Sequence, residues 1–393
     1  MSEVEVPPQS DKKRHRAKTI VSKDELPQKE KTSMSSQPLV SSLPDELIEQ
    51  IFALVPRWAY PNLSLVCKRF LSLISSPQLY TTRFNLGTTE PCLYFCVESI
   101  RIDIYLQWFT LSMKPQETCD GEILNDYSVI RIPFYPLPLR SPYKSTVVVG
   151  SDIYLIGGWG ELTSPVQILD SRSNTWRDGP NMTVARKNPQ AVLIGHKIYV
   201  MGGCDIDNWF EVLDIKTQTW TALPSPGADH GLCKYFRVNP DAFEGKLYVA
   251  SSKKDYTYEP KDGTWKVVRD ESSCGELFDS CVIDNVMYSF GILGNIKWYD
   301  SKGRVWREIK GLEGVFPGVK LIRNYGGKLV VMWSQRPEEH SENRNVRIWC
   351  AKIELEKRHK DEIWGKTEWL NTFLKIPMSF GNTFPWVAVS IPM

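Results

Sequence analysis

The sequence predicts an all-β propeller, counted at six four-stranded blades with five or seven as the alternatives, preceded by a small all-α domain and a polar N-terminal tail. Two observations carry the ring. The stretch Thr146 to Trp220 writes one unit twice, TVVVGSDIYLIGG with VQILDSRSNTW and then AVLIGHKIYVMGG with FEVLDIKTQTW. Each copy sets two apolar, β-branched runs around a short polar turn, stops at Gly-Gly, adds a third run ending in Asp and reaches a Trp, which reads as a four-stranded antiparallel meander. The second observation is the period. Trp176, Trp220, Trp265 and Trp306 each stand six places after an acid, namely Asp170, Asp214, Glu259 and Asp300. Four strands in about 40 to 50 residues is a propeller period. A single sheet of this kind cannot cover both its faces, so the copies must stack around an axis. A β-sandwich would explain alternating strands but not a fixed acid-to-Trp spacing.

Residues 1–41 are rich in Ser, Pro, Lys and Glu, the composition of a disordered leader. Lys12-Lys13-Arg14-His15-Arg16-Ala17-Lys18 concentrates positive charge there, as a nuclear import signal or as a solvated tail. The composition changes at Ser42. Ser42 or Asp45 can cap a helix that Pro44 starts, with Leu47, Ile48, Ile51 and Leu54 at helical spacing until Pro56. A second helix is expected along Leu63, Val66, Phe70 and Leu73, ended by Ser75-Ser76-Pro77, and a short third carries Leu79, Tyr80 and Phe84. About 40 residues is near the lower limit for an independent domain, so these helices should need a partner.

Leu93 to Val97 and Ile102 to Met113 read as two strands, with Trp108-Phe109-Thr110-Leu111 in the place that Trp176 holds later. They are expected to be the outer half of a blade, followed by a long connection from Pro115 to Pro142. Full blades are expected at 143–182, 188–226, 233–270, 278–310 and 317–376, the last with an insertion from Gln335 to Arg347 and an end at Trp364 to Leu370. Phe384 to Ile391 is then an orphan strand, expected to complete the blade opened at residue 92 and so to remove an exposed sheet edge.

The glycine pairs Gly157-Gly158 and Gly202-Gly203, with Tyr258 or Tyr299 seven places before a Trp, resemble kelch repeats; the third copy has Ser251-Ser252 instead and later copies are recognised by register. LPDEL, VPRWAYPNLSLVCKRF and SSPQLY, from residue 43 to about 83, resemble an F-box. Together they are similar to a large plant family of F-box/kelch-repeat proteins. The resemblance implies a substrate-recognition subunit of an SCF-type ubiquitin ligase, whose F-box docks a Skp-type adaptor and through it a cullin and a RING subunit. The adaptor-facing residues would be Leu43, Pro44, Leu47, Ile51, Val66, Cys67 and Phe70. The helices could otherwise cap the propeller, and the chain could be a kelch scaffold or ligand sensor that binds the adaptor without degradation.

Catalysis has little to rest on. Five His are scattered, no Arg position repeats, and neither a Gly-rich phosphate loop nor His-Glu-x-x-His occurs, so no enzyme, metal or cofactor is expected. Lys plus Arg at 48 against Asp plus Glu at 46 leaves a net charge of +2, which points to neither nucleic acid nor an acidic membrane. No apolar run is long enough to span a membrane. Nine scattered Cys without Cys-x-x-Cys, and no signal peptide at the first residues, fit reduced thiols in cytoplasm or nucleus. Recognition of a target protein is expected in residues that break the repeat. These lie in loops after the second and fourth strands, which emerge on one face: 159–164, 183–187, 204–209, 226–231, 253–256 and 335–345. The candidates are Trp159, Arg186, Lys187, Asp205, Trp209 and Lys253, each of which could equally be an ordinary loop residue.

Overall fold

A computed structural model describes residues 43–100, 104–113, 127–132, 146–158, 162–204, 209–224, 239–250, 254–269, 279–291, 294–312, 316–337, 345–359, 362–377 and 385–392. The chain divides into two units after Pro44. Only Leu43 and Pro44 of the first are described, so the expected tail lies outside the described residues. The second unit, Asp45–Met393, holds the helices and the sheets together.

The helices are α1 (Asp45–Leu54), a 3-10 turn (Arg57–Ala59), α2 (Tyr60–Ser64), α3 (Lys68–Ile74) and α4 (Pro77–Leu86). The expected second helix is two. Cys67 adopts an extended backbone, φ −162° and ψ 163°, and its Sγ accepts the Phe70 N–H at 3.5 Å, so a new helix starts where a continuous one was expected. Ser76 caps α4 and Pro77 occupies its first turn.

Six four-stranded antiparallel sheets follow. The first is β1 (Pro91–Ile100), β2 (Ile104–Met113) and β3 (Tyr127–Arg131), with β24 (Pro385–Pro392) paired to β1. The second runs β4 (Thr146–Val149), β5 (Asp152–Ile156), β6 (Val166–Asp170), β7 (Thr175–Asp178), and the third β8 (Gln190–Ile194), β9 (Lys197–Met201), β10 (Phe210–Asp214), β11 (Thr219–Ala222). The fourth is β12 (Asn239–Phe243), β13 (Lys246–Ala250), β14 (Asp255–Glu259), β15 (Thr264–Arg269). The fifth is β16 (Ser280–Ile283), β17 (Val286–Phe290), β18 (Ile296–Asp300), β19 (Val305–Glu308), and the sixth β20 (Leu321–Tyr325), β21 (Lys328–Gln335), β22 (Asn345–His359), β23 (Glu362–Pro377). The inner strands touch in the cycle β4, β8, β12, β16, β20, β24 and back to β4, which makes the six sheets a closed ring.

Second strands such as β5 and β9 are buried on both faces, each face against a neighbouring sheet. Val147, Tyr154 and Ile168 of the second sheet share a core with Ile198, Val200 and Leu213 of the third. The repeated Trp fastens consecutive sheets. Trp220 Nε1 donates to Pro180 O at 2.9 Å and Trp265 Nε1 to Pro224 O at 3.1 Å, each carbonyl lying at the exit of the preceding sheet. The repeated acid builds the turn between third and fourth strands. Asp214 Oδ1 accepts from Lys216 N at 2.9 Å, and Asp300 Oδ1 from Lys302 N at 3.1 Å. Glycine is required where sheets approach. At Gly203, φ 76°, a Cβ would lie 2.4 Å from Lys187 O, and at Gly157, φ 80°, 2.7 Å from Pro189 Cγ.

Two departures come from the ends of the ring. The expected connection from Pro115 to Pro142 contains β3, which pairs Leu111 with Val129, so β1 and β2 are the second and third strands of their sheet and Trp108 lies in a third strand, not a fourth. In the sixth sheet β22 and β23 run 15 and 16 residues, well beyond the expected Trp364 to Leu370. Their excess reaches back to the fifth sheet, where Lys310 N donates to Ile363 O at 3.0 Å and Gly365 N to Lys310 O at 2.9 Å. The expected insertion from 335 to 345 is described only at its two ends.

Two outcomes are expected. Deleting residues 384–393 removes β24 from between β20 and β4 and leaves β1 an open edge; the chain should aggregate or melt far lower, read by light scattering and calorimetry. Asp214→Asn keeps the turn acceptor but loses the charge. Backbone N–H groups of Lys216 and Thr217 hold the Asp214 carboxyl below its ordinary range. A depressed folded pKa stabilises above the unfolded value of about 3.9 and is lost as pH falls through the folded one. The wild-type advantage in melting temperature should therefore be present at pH 7 and vanish on acidification.

Candidate functional site

On the helices, α1 turns Ile48, Phe52 and Ala53 inward and leaves Leu47, Ile51 and Leu54 at 46%, 50% and 66% exposure. Positions i, i+4 and i+7 make this one apolar stripe, exposed among the described residues. Leu65 and Val66, between α2 and α3, add 84% and 64% exposure. Pro44 and Cys67 are exposed, and Leu43 is partly buried. Phe70 differs, since its ring stands edge-on to Phe52 with centroids 4.9 Å apart, inside the bundle. Monomeric proteins seldom leave such a contiguous apolar area in water unless it binds something.

The chain enters β1 at Pro91, which lies against Gly326 in the turn between β20 and β21. The helices therefore join the ring on the face of the first-to-second and third-to-fourth strand turns. The other loops converge on the opposite face. Gly158, after β5, bridges to Lys187, after β7; Arg186 and Thr163 exchange backbone bonds at 2.9 and 3.2 Å, and Lys187 N donates to Gly203 O at 2.7 Å.

Arg186 and Trp209 do not offer a surface to a target. Arg186 is fully buried: Nε donates to Glu211 Oε1 at 2.7 Å, and Nη1 to Gly202 O at 2.8 Å and Trp209 O at 3.0 Å, with Cys204 Sγ at 3.1 Å. Glu211 Oε2 in turn accepts Thr183 N at 3.1 Å and Thr183 Oγ1 at 2.5 Å. Arg186 is a pin between the loop leaving the second sheet and the loop inside the third. The counter-charge is Glu211; Asp205, with Trp159 and Lys253, lies outside the described residues. Trp209 packs its ring on Phe210 and Trp265 at 6.0 and 6.1 Å, in the core shared by the third and fourth sheets. Lys187 alone of the described target candidates is exposed, and Leu162, at 62%, stands on the same face. The sequence signal for the pin was Glu211, a carboxylate inside an apolar strand where the preceding copy has Gln167.

Burial pushes up the Tyr94 phenol, which donates to Ser171 O at 2.7 Å across two sheets, and the Cys350 thiol. Among the described residues no group of His, Cys, Asp or Glu is arranged to hold a metal ion, and no helix is long and apolar enough to cross a membrane.

Because both charges of the pin are buried, Arg186→Ala strands Glu211 and should cost about 3 kcal/mol of stability. Lys187→Ala should leave denaturant unfolding unchanged. Equal midpoints for the two variants would contradict the buried pair.

Family models match this chain twice: the F-box domain over residues 40–82 and the FKB95, Kelch-repeats domain over residues 108–374. The Arabidopsis thaliana F-box/kelch-repeat protein At5g39560 is 53% identical over 407 residues, covering 95% of this chain and 98% of its own. A second from Arabidopsis, At4g39550, is 40% identical over 363 residues, covering 86% and 91%. With helices that match the one model, sheets that match the other and relatives aligned almost end to end, the chain belongs to the F-box/kelch-repeat family.

Proposed function

We propose that this chain is the substrate-recognition subunit of an SCF-type, cullin-RING ubiquitin ligase. The observation that carries the reading is the stripe of Leu47, Ile51 and Leu54 beside Leu65 and Val66, exposed among the described residues, the kind of surface that a Skp-type adaptor would cover. Leu43, Pro44, Cys67 and the edge of Phe70 are assigned to the same contact. The propeller binds a target protein, on the face where Lys187 and Leu162 stand. The subunit performs no chemistry of its own. It raises the effective concentration of the target near a ubiquitin-loaded enzyme and fixes its orientation. The chain works in cytoplasm or nucleus, in keeping with thiols at Cys67, Cys92 and Cys350.

The test is capture of a recombinant Skp-type adaptor by the full chain. Leu47→Asp with Ile51→Asp places two charges in the stripe without touching the core. Capture should fall at least about 100-fold, the scale of losing an interface hot spot, while the melting temperature stays put. Undiminished capture would remove the adaptor assignment. Capture of adaptor without cullin would replace ligase function with a scaffold.

A further inference from the structure

We propose that the helical segment is a keystone of the ring: Arg57 and Tyr80 complete the core between the first and second sheets, so that helices and propeller form a single cooperative unit. The weak place of any such ring is the sheet built from both chain ends. Here β24 pairs with β1 from Pro91 with Pro392 to Val97 with Pro385, and the first sheet also packs on the sixth, where Phe95 meets Phe373 and the Tyr127 hydroxyl donates to Thr372 O at 3.3 Å. Whatever fixes β1 to the second sheet therefore also steadies the strand that β24 must find.

The helices supply that fixation. Tyr80 of α4 is buried in one cluster with Cys92, Tyr94, Cys96 and Trp108 of the first sheet and Ile153, Leu155 and Leu169 of the second. The Arg57 guanidinium lies over the Tyr80 ring, 5.3 Å from its centroid, and against Tyr94 and Cys92 of β1. Tyr94 in turn bonds Ser171 O and, at 3.2 Å, Asn174 Oδ1 in the second sheet. Arg57 Nη1 is buried with no hydrogen-bond partner among the described residues.

The connector from Gly87 to Glu90 is locked as well. Glu90 accepts the Arg57 backbone N–H on Oε2 at 3.0 Å and pairs through Oε1 with Arg83 at 3.3 Å. Arg83, 1% exposed, spends Nη1 on Ala53 O at 3.2 Å, Val55 O at 2.7 Å and Tyr60 Oη at 3.0 Å, and Nη2 on Thr88 O. A loose tether would leave these donors to water. The arrangement welds α1, the 3-10 turn and α4 to the start of β1, and it holds whatever the helices bind.

The experiment is hydrogen exchange by mass spectrometry on the full chain, with calorimetry alongside. In the wild type, α4, β1 and β24 should open together, in one melting transition. Tyr80→Ala and Arg57→Met should each speed exchange in β1 and β24 by about tenfold or more and leave β13 and β14, on the far side of the ring, unchanged. Leu54→Ser, on the exposed stripe, should change neither. If Tyr80→Ala fails to accumulate, Arg57→Met carries the test, with Tyr80→Phe, which keeps the ring and loses the bond to Ile74 O, expected to match the wild type in β1. Faster exchange confined to the helices, or a wild-type chain melting in two steps, would overturn the proposal.

Discussion

A four-stranded sheet with two apolar faces cannot be stable alone, and this one constraint organises the molecule. Each sheet here covers its faces with its neighbours, so the arrangement is complete only when the last sheet meets the first. Val147, Ile168 and Tyr154 need Ile198 and Val200 of the next sheet, and the same relation repeats around the ring. The Gly-Gly positions follow from it. Sheets packed this closely bring Lys187 O to where a Cβ of residue 203 would sit, and only glycine leaves the space. The acid and the Trp of each copy follow too, one shaping the turn and the other tying its sheet to the exit of the preceding one.

What the repeat imposes was legible in the sequence, because a feature written several times in register outweighs local ambiguity. The six sheets followed from such features, and the F-box from its own unrepeated motifs between residue 43 and about 83. What the repeat does not impose was hidden. β3 reads Tyr-Ser-Val-Ile-Arg without the Trp that marks the other fourth strands, so its stretch looked like a connection. The break at Cys67 was masked by an apolar stripe that runs through both α2 and α3, and nothing local says that a thiol will cap.

Arg186 shows a different limit. Charge after a turn is ordinarily solvated, and a loop Arg near aromatic residues has the composition of a recognition site. Its fate depended on Glu211, 25 residues away, because a buried cation is tolerable only beside a partner that also satisfies the remaining donors. The pair sits at the junction between the second and third sheets. It therefore marks where this chain has fixed a loop that the repeat alone would leave adjustable, and it sets the backbone on which exposed Lys187 is displayed.

The packing of helices on the ring was illegible for a related reason. Leu79 and Tyr80 have the pattern of a small bundle filling its own centre, yet the Tyr80 ring belongs to a core whose other members come from two sheets. A bundle of this size has little apolar volume to spare, and lending a large aromatic to the propeller means that it does not close independently. The exposed stripe on α1 lies opposite Ile48 and Phe52, which occupy the inward positions of the same helix. One set of α1 positions thus fills the bundle while the other is exposed among the described residues. The helices enter on the face opposite the loops around Gly158, Lys187 and Gly203. In the proposed role, adaptor and target then meet opposite sides of one rigid body, so their separation is set by the thickness of the sheets and not by a linker.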